Sequence, residues 1–435
     1  MMKGKFMKTR EEILNLIDEE NIEFIRLQFT DIMGNLKNIA VTPGQIDRVF
    51  NDMYHFEGSA LFNYEYECPE QLYLHPDLNS FAILPWRPQQ GKVAKLLCEV
   101  YTEDGKPFAL SSRRILKEML EKAAGEGYTF LVDPECEFFL FHTDEYGLPT
   151  TISHEQAGYM DVGPVDFGEN ARRDIVLMLE QIGFDIESSL HELAPAQHEI
   201  NFRELEAMEM ADAIQTFRFA VRSIAKRFGL YATFMPKPKA DIAGNGMHTN
   251  FILLKDDRNL FREKDGSVSG EAGYFIGGIL KHAPALMALA NPTVNSYKRL
   301  LTGFEAPDRI NWSVKGEKAL VKLKHYSRDV KVELRFPDGS CNPYLLLAGC
   351  IAAGLDGIEH RIDPGEDSYG KPSEDYAEIP GNLKEAVDAL LKDEVLCAAL
   401  GSEFVRVYAQ MKYAEWKEYM LSVSEWELNR YLTRI

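Results

Sequence analysis

The chain has 435 residues, 45% of them hydrophobic and 27% charged, with a formal net charge of −20. That length favours two or more cores, and the acidity argues against a general binder of nucleic acid or of anionic membranes. The basic start MMKGKFMKTREEI leads into acids, no run approaches the roughly 18 apolar residues of a membrane span, and the six cysteines form no CxxC pair, so reduced thiols in a cytoplasmic protein are expected.

In chain order, residues 9–20 read as an amphipathic helix opened by a Thr9–Glu12 capping box. Strands at 24–30 and 36–41 form a hairpin around Gly34. A helix over 43–50, a strand-poor stretch over 51–79, and strands at 81–85 and 93–101 complete a β-rich unit, 1–106, closed by the turn EDGKP. The period then changes to 3.6, with Ile115, Met119 and Leu120 on one helix face. Further helices are expected at 169–183, 207–228, 271–289 and 343–358, with strands at 185–189, 197–202, 230–234, 246–254, 311–314, 319–323 and 330–336. Residues 291–303 read as loop, as do 364–380, and a closing amphipathic helix from Ser402 nearly to Ile435 offers Trp416 and Trp426 to a packing face. Strands mixed with long helices, without regular βαβ alternation, predict an α+β fold of two domains, 1–106 and 107–435.

The stretch LVDPECEFFLF, 131–141, reads as a strand that projects Glu135 and Glu137 from one side with Asp133 behind them. With 68 acids in the chain, about ten acid-x-acid pairs arise by chance, so the pair alone is an ordinary strand face. Four strands or strand ends, however, offer Glu135 and Glu137, Glu192 and Glu199, His248, and Glu333. Five carboxylates and an imidazole suit two adjacent Mg²⁺ or Mn²⁺ ions of the kind used in phosphoryl transfer. Arg299 and Arg335 offer bidentate recognition of carboxylate or phosphate. Half-buried strand residues remain the competing reading, and with no GxxxxGK motif any nucleotide is held without a Walker loop.

The ordered segments PECEFFLF, HELAPAQHEI, FMPKP, GNGMHTN, NPTVNSYKRLLTGFEAP and VELRFPDGSCNPY resemble the type I glutamine synthetase family over nearly the whole chain. The resemblance implies a small N-terminal β-grasp-like domain and a large catalytic domain with a curved antiparallel sheet flanked by helices. It implies ATP and two or three Mg²⁺ (or Mn²⁺) as cofactors, glutamate and ammonium as substrates, and a dodecamer of two hexameric rings with inter-subunit active sites. Residue by residue, it implies one metal at Glu137, Glu192 and Glu199 and another at Glu135, His248 and Glu333. Arg299, helped by the Gly244 backbone, would hold the α-carboxylate, Arg335 would face the transferred phosphoryl group, and Glu305 would be the flap carboxylate that takes a proton from ammonium. Asn250, Lys322, Lys331 and Phe336 fall where the nucleotide is expected.

The departures cluster. The family pattern WSxRNRSAxxRxP is WSVKGEKALVKLK here, so arginines expected at phosphates become Glu317 and Lys322, and a third becomes Lys331. Glu317 is expected to repel phosphate unless it turns away or Lys315 or Lys318 compensates. Ile252 replaces a serine, Ala243 an asparagine, and Glu57 with Ala60 stands where DGSS binds ammonium across the subunit boundary. Tyr376 lies outside the context of adenylylated relatives, so no such control is expected. The expected activity is γ-glutamyl ligation of ammonia, with an organic amine as alternative acceptor, or a weakly active or silent ring protein. His191 and His198, beside metal glutamates, are expected to make supporting hydrogen bonds.

Overall fold

The computed structural model describes residues 8–62, 68–87, 90–301, 303–326 and 329–435. Helix α1 (Arg10–Glu19) opens on the expected capping box: the Thr9 hydroxyl accepts from the Glu12 amide at 3.2 Å, and the Glu12 carboxylate accepts from the Thr9 amide at 2.7 Å. Strands β1 (Ile22–Thr30) and β2 (Leu36–Val41) form the hairpin. A 3₁₀ turn leads into α2 (Ile46–Phe50), and β3 (His55–Glu57), β4 (Gln71–Ile83) and β5 (Lys92–Thr102) follow. The reading of 51–79 as strand-poor is corrected, because β3 and most of β4 lie there; residues 63–67 are outside the described residues. Pro76, Asp77 and Asn79 hide the alternation of β4, whose register with β5 shifts between Asp77 and Ala82. The sheet order is β2-β1-β5-β4-β3, with β1 and β5 parallel.

The second unit runs α3 (Ser112–Gly125), β6 (Tyr128–His142), α4 (Glu169–Gln181), β7 (Ile186–His191), β8 (Gln197–Phe202), β9 (Leu205–Glu206), α5 (Ala207–Ala225), β10 (Leu230–Thr233), β11 (Met247–Lys255) and β12 (Arg258–Asn259). It continues α6 (Gly270–Ala290), α7 (Ser296–Leu300), β13 (Trp312–Ser313), β14 (Val321–His325), β15 (Val330–Leu334), α8 (Pro343–Glu359), α9 (Leu383–Leu390), α10 (Glu394–Leu400), α11 (Ser402–Leu421) and α12 (Glu425–Tyr431). Its ten strands follow β13-β14-β15-β11-β6-β8-β7, with β9 and β10 also on β6 and β12 on β11. Pairing is antiparallel except at β13–β14. On the side away from the acids, Phe138 of β6 meets Phe217 of α5 edge-on. Helices α6 and α8 cross so closely that a Cβ on Gly278 would come 2.1 Å from the Ala353 carbonyl oxygen.

Two further expectations are corrected. Residues 291–303 include α7, whose short turn presents Arg299. The closing helix is broken at Ser422, and α12 restarts on its own capping box, Ser424 with Glu427. Trp416 packs against the core, but α12 buries none of its residues and Trp426 is 61% exposed. The two units meet through polar side chains: Gln215 donates to Thr30 Oγ1 at 3.1 Å and to the Gly34 carbonyl at 3.0 Å, and Asn342 donates to the Asp31 carbonyl at 3.2 Å. Among the described residues no helix is long and apolar enough to cross a membrane.

Candidate active site

Strand register assembles the site. Asp133, Glu135 and Glu137 alternate onto one face of β6, so Asp133 lies beside the glutamates rather than behind them. Across the ladder, Glu137 stands opposite Glu199 of β8 and Glu135 opposite His248 of β11. Asn250 stands opposite Asp133 on one side and Glu333 of β15 on the other, and Glu333 in turn faces Lys322 of β14. One row of side chains thus crosses five strands.

The group Glu135, His248 and Glu333 comes together as expected, with ligand-capable atoms within 4.8 Å of one another. His248 Nδ1 lies 3.2 Å from Glu135 Oε2 and 3.4 Å from Glu333 Oε1. A residue outside the expected set stands among them. Lys324 Nζ lies 2.7 Å from Glu135 Oε1 and 3.2 Å from Glu333 Oε2, while Arg335 Nη1 donates to Glu333 Oε1 at 3.0 Å and Asn250 Nδ2 to Glu135 Oε1 at 3.3 Å. Burial pulls the Glu135 carboxyl upward, but the hydrogen bond and charge of His248 and the charge of Lys324 outweigh it and hold the group well below the usual carboxylate range. The signal was in the sequence: Lys324 is the last residue of WSVKGEKALVKLK, where the family pattern ends in proline.

Glu137, Glu192 and Glu199 make a different environment. One oxygen of each is anchored: Glu137 Oε2 accepts from Gln197 Nε2 at 2.8 Å and the Gly246 amide at 2.9 Å, Glu192 Oε2 from the Leu193 amide at 2.9 Å, and Glu199 Oε1 from Asn201 at 2.7 Å. Among the described residues no lysine or arginine forms an ion pair with Glu192 or Glu199. Burial first, and then the charge of Glu137, push the Glu192 carboxyl up to about 7 and the Glu199 carboxyl up to about 9. Three neighbouring carboxylates, of which Glu192 and Glu199 resist ionising, offer a hard divalent cation oxygen ligands. Gln197 is not among the acids that mark the site in the sequence; its position two residues before Glu199 on β8 is the available sign. His191 supports the loop as expected, with Nδ1 at 2.7 Å from the Glu192 carbonyl and Nε2 at 3.0 Å from Glu155. His198 Nδ1 lies 2.7 Å from Arg172.

Glu137, Glu192, Gly244, His248, Arg299, Glu305 and Arg335 line one small cavity of about 40 Å³. Gly244 has no room for a side chain there, since a Cβ would lie 2.2 Å from the Pro236 carbonyl oxygen. Arg299 is buried and donates to the carbonyls of Arg335, Phe336 and Pro337 at 3.0, 2.9 and 3.2 Å, so it also fixes the backbone beyond β15. Glu305 holds a left-handed φ of +47°, an unfavourable backbone for a non-glycine residue.

The residues expected at the nucleotide are not gathered as a set. The Phe336 ring is fully buried in the core, Lys331 pairs with Asp133 and Glu204, and Asn250 is spent on the Asp133 carbonyl and Glu135. Lys322 Nζ lies 2.5 Å from Glu317, and Arg335 Nη1 3.6 Å from the same carboxylate. Glu317 is therefore compensated, but by Lys322 and Arg335 rather than by Lys315 or Lys318; Lys315 lies over the Tyr369 ring. Glu57 is on β3 of the small sheet and does not line the cavity within one chain.

The family model described as "Glutamine synthetase, catalytic domain" matches residues 109–431, and the one described as "Glutamine synthetase, beta-Grasp domain" matches residues 21–103. The chain belongs to the glutamine synthetase family. A protein named glutamine synthetase from Clostridium saccharobutylicum is 46% identical over 98% of this chain and 99% of the relative. That of Thermotoga maritima is 43% identical with the same coverage. Among solved structures, one described as a "GmaS/ADP complex" is 34% identical with a TM-score of 0.88, covering 96% of this chain and 99% of the other. The fold is that of glutamine synthetases, a β-grasp domain followed by a catalytic domain with a curled sheet and helices. In this chain cations are drawn onto its own carboxylates: Lys324 on Glu135 and Glu333, and Lys322 on Glu317.

Proposed function

We propose that the chain is an ATP-dependent glutamate–ammonia ligase, with domains 1–106 and 107–435. Its full-length relatives named glutamine synthetase carry this reading, and the crowded Glu137–Glu192–Glu199 group supports it on the level of residues. A free carboxylate is a poor electrophile. ATP therefore phosphorylates the γ-carboxylate of glutamate, releasing ADP; ammonia attacks the acyl carbon, the C–O bond to phosphate breaks, and glutamine and phosphate leave. A divalent cation held by Glu137, Glu192 and Glu199 supplies screening of the negative charges that oppose transfer. The same requirement does not fit Glu135, His248 and Glu333 as well, because Lys324 already stands between the carboxylates.

In this proposal Arg299 beside Gly244 orients the α-carboxylate. Arg335, whose buried Nε donates no hydrogen bond among the described residues, stabilises charge on the transferred phosphoryl group. Glu305 closes over the intermediate, excludes water and accepts the proton that ammonium gives up. Glu57 reaches the ammonium pocket of a neighbouring subunit, and the chains form two stacked six-membered rings. The exposed Leu421, Val423 and Leu432 around α12 support such assembly. Six free cysteines suit the cytoplasm. A weakly active ring protein is the second reading, favoured by the commitment of Lys322 and Arg335 to Glu317.

The test is phosphate release from ATP, Mg²⁺ and glutamate with ammonium, methylamine, a polyamine or no amine. Release that depends on ammonium is expected. Release only with an organic amine, or no ADP formation even with methionine sulfoximine, overturns the proposal.

A further inference from the structure

Two groups of acids lie close together, and a lysine is inserted between the carboxylates of only one of them, whereas among the described residues Glu192 and Glu199 of the other form no ion pair with lysine or arginine. At Glu135 and Glu333 each carboxylate has a cation against it: Glu135 Oε1 has Lys324 and Asn250, Glu135 Oε2 has His248, Glu333 Oε1 has Arg335 and His248, and Glu333 Oε2, which makes no hydrogen bond among the described residues, has the Lys324 charge 3.2 Å away. The two carboxylates are thus met by the cations Lys324 and Arg335, with His248 Nδ1 3.2 and 3.4 Å from them. The Lys324 side chain is 17% exposed and that of Glu333 fully buried, so solvent does little to weaken the contacts. A Mg²⁺ ion binds oxygens at about 2.0–2.1 Å. Placed between Glu135 Oε1 and Glu333 Oε2, it would occupy the space of the ammonium that lies 2.7 and 3.2 Å from those atoms.

We propose that Lys324 is a tethered cation that takes the place of one of the two metal ions, leaving Glu137, Glu192 and Glu199 as the one divalent site held by the protein alone. This rests on the ligase reading for its purpose: a fixed charge of +1 replaces an exchangeable +2 beside the reacting phosphate. The strand supplies it from a suitable distance. Lys324 and Lys322 share a face of β14, with Lys322 opposite Glu333, and the lysine stem spans the remaining gap to β6 across the curled sheet.

The experiment counts metal without turnover. Full-length protein is stripped with a chelator, dialysed against Mn²⁺ in the absence of nucleotide, and assayed for bound Mn²⁺ per chain and for the broadened electron paramagnetic resonance signal of two neighbouring ions. Wild type is expected to bind one ion per chain without pair broadening. Lys324→Met is expected to bind two, with broadening, and Lys324→Met combined with Glu192→Gln one. Zero or two ions in wild type overturns the proposal, as does a count of one in both wild type and Lys324→Met. Lys324→Gln serves if the methionine variant does not fold, and the wild-type count refutes by itself. Because no catalysis is read, an inactive chain can still bind one ion, and an active ligase that binds two would refute the tethered cation alone.

Discussion

Removing the charge of Glu199 should stabilise the metal-free protein, the opposite of what deleting a buried polar contact usually does. The Glu199 carboxyl is held up at about 9 against 4.5 for the unpaired group. A carboxyl raised by folding binds its proton more tightly in the native state, so stability is greatest below pH 4.5 and declines as pH rises toward 9. At pH 7.5 the interval of three units corresponds to roughly 4 kcal/mol. Glu192, itself raised to about 7, shares the same repulsion, so roughly 2–4 kcal/mol is the gain expected for Glu199→Gln. The glutamine keeps an oxygen to accept from Asn201, which lies at 2.7 Å from Glu199, so the packing change is small. Urea unfolding of chelator-treated protein at pH 5.5, 7 and 8.5 reads the effect. Wild type should lose stability along that series while Glu199→Gln stays nearly level, and saturating Mn²⁺ should reverse their order by restoring wild type. If the variant tracks wild type at all three values, crowding of the three carboxylates does not govern this part of the fold.

Other expectations follow from single contacts. Glu317 is 58% exposed and pairs with Lys322 and Arg335, so Glu317→Gln should change stability by less than about 1 kcal/mol yet lower the KM for ATP several-fold by releasing two cations; an unchanged KM in steady-state kinetics removes Glu317 from nucleotide binding. Gly244→Ala drives a Cβ into the Pro236 carbonyl, and a displacement of that size at the substrate backbone should lower kcat/KM by about 100-fold or more; near-normal kinetics would show that the loop yields freely. His282 bridges Asp393 at 2.6 Å and Asp356 at 2.9 Å, and although burial opposes its charge, these partners raise its pKa above 6.5. Its contribution is therefore complete below pH 6.5 and lost as pH rises through the higher folded value, so His282→Gln should cost roughly 2 kcal/mol at pH 6 and less at pH 9. Equal losses at both pH values in urea melts would contradict a protonated histidine.

Much of this architecture was readable in the sequence because local signals and tertiary structure agree. The capping box at Thr9, the hairpin around Gly34 and the alternating acids of β6 each appear where chemistry places them. The strand β4 was not, because Pro76, Asp77 and Asn79 are poor strand residues that lie beside or within the stretch where its ladder with β5 slips. The break between α11 and α12 was lost for a related reason: apolar residues continue through Leu421 and Val423, and only the small polar Ser422 and Ser424 interrupt them. In the site, residue types located the acids well. Partnership between side chains was harder, since a lysine's long stem makes its destination a property of sheet curvature. Nothing within WSVKGEKALVKLK alone says that Lys322 turns to Glu317 while Lys324 reaches Glu135.

The row of functional side chains runs across strands, not along one, and this makes the site an all-or-none report on register. A slip of β6 by one residue would send Glu135 and Glu137 into the aromatic core and bring Cys136 and Phe138 into the row. Glu199 and His248 would then face the wrong partners on the two flanking strands. A chain that takes up Mn²⁺ has therefore aligned its central strands correctly, so metal uptake during refolding would time the moment at which this sheet locks.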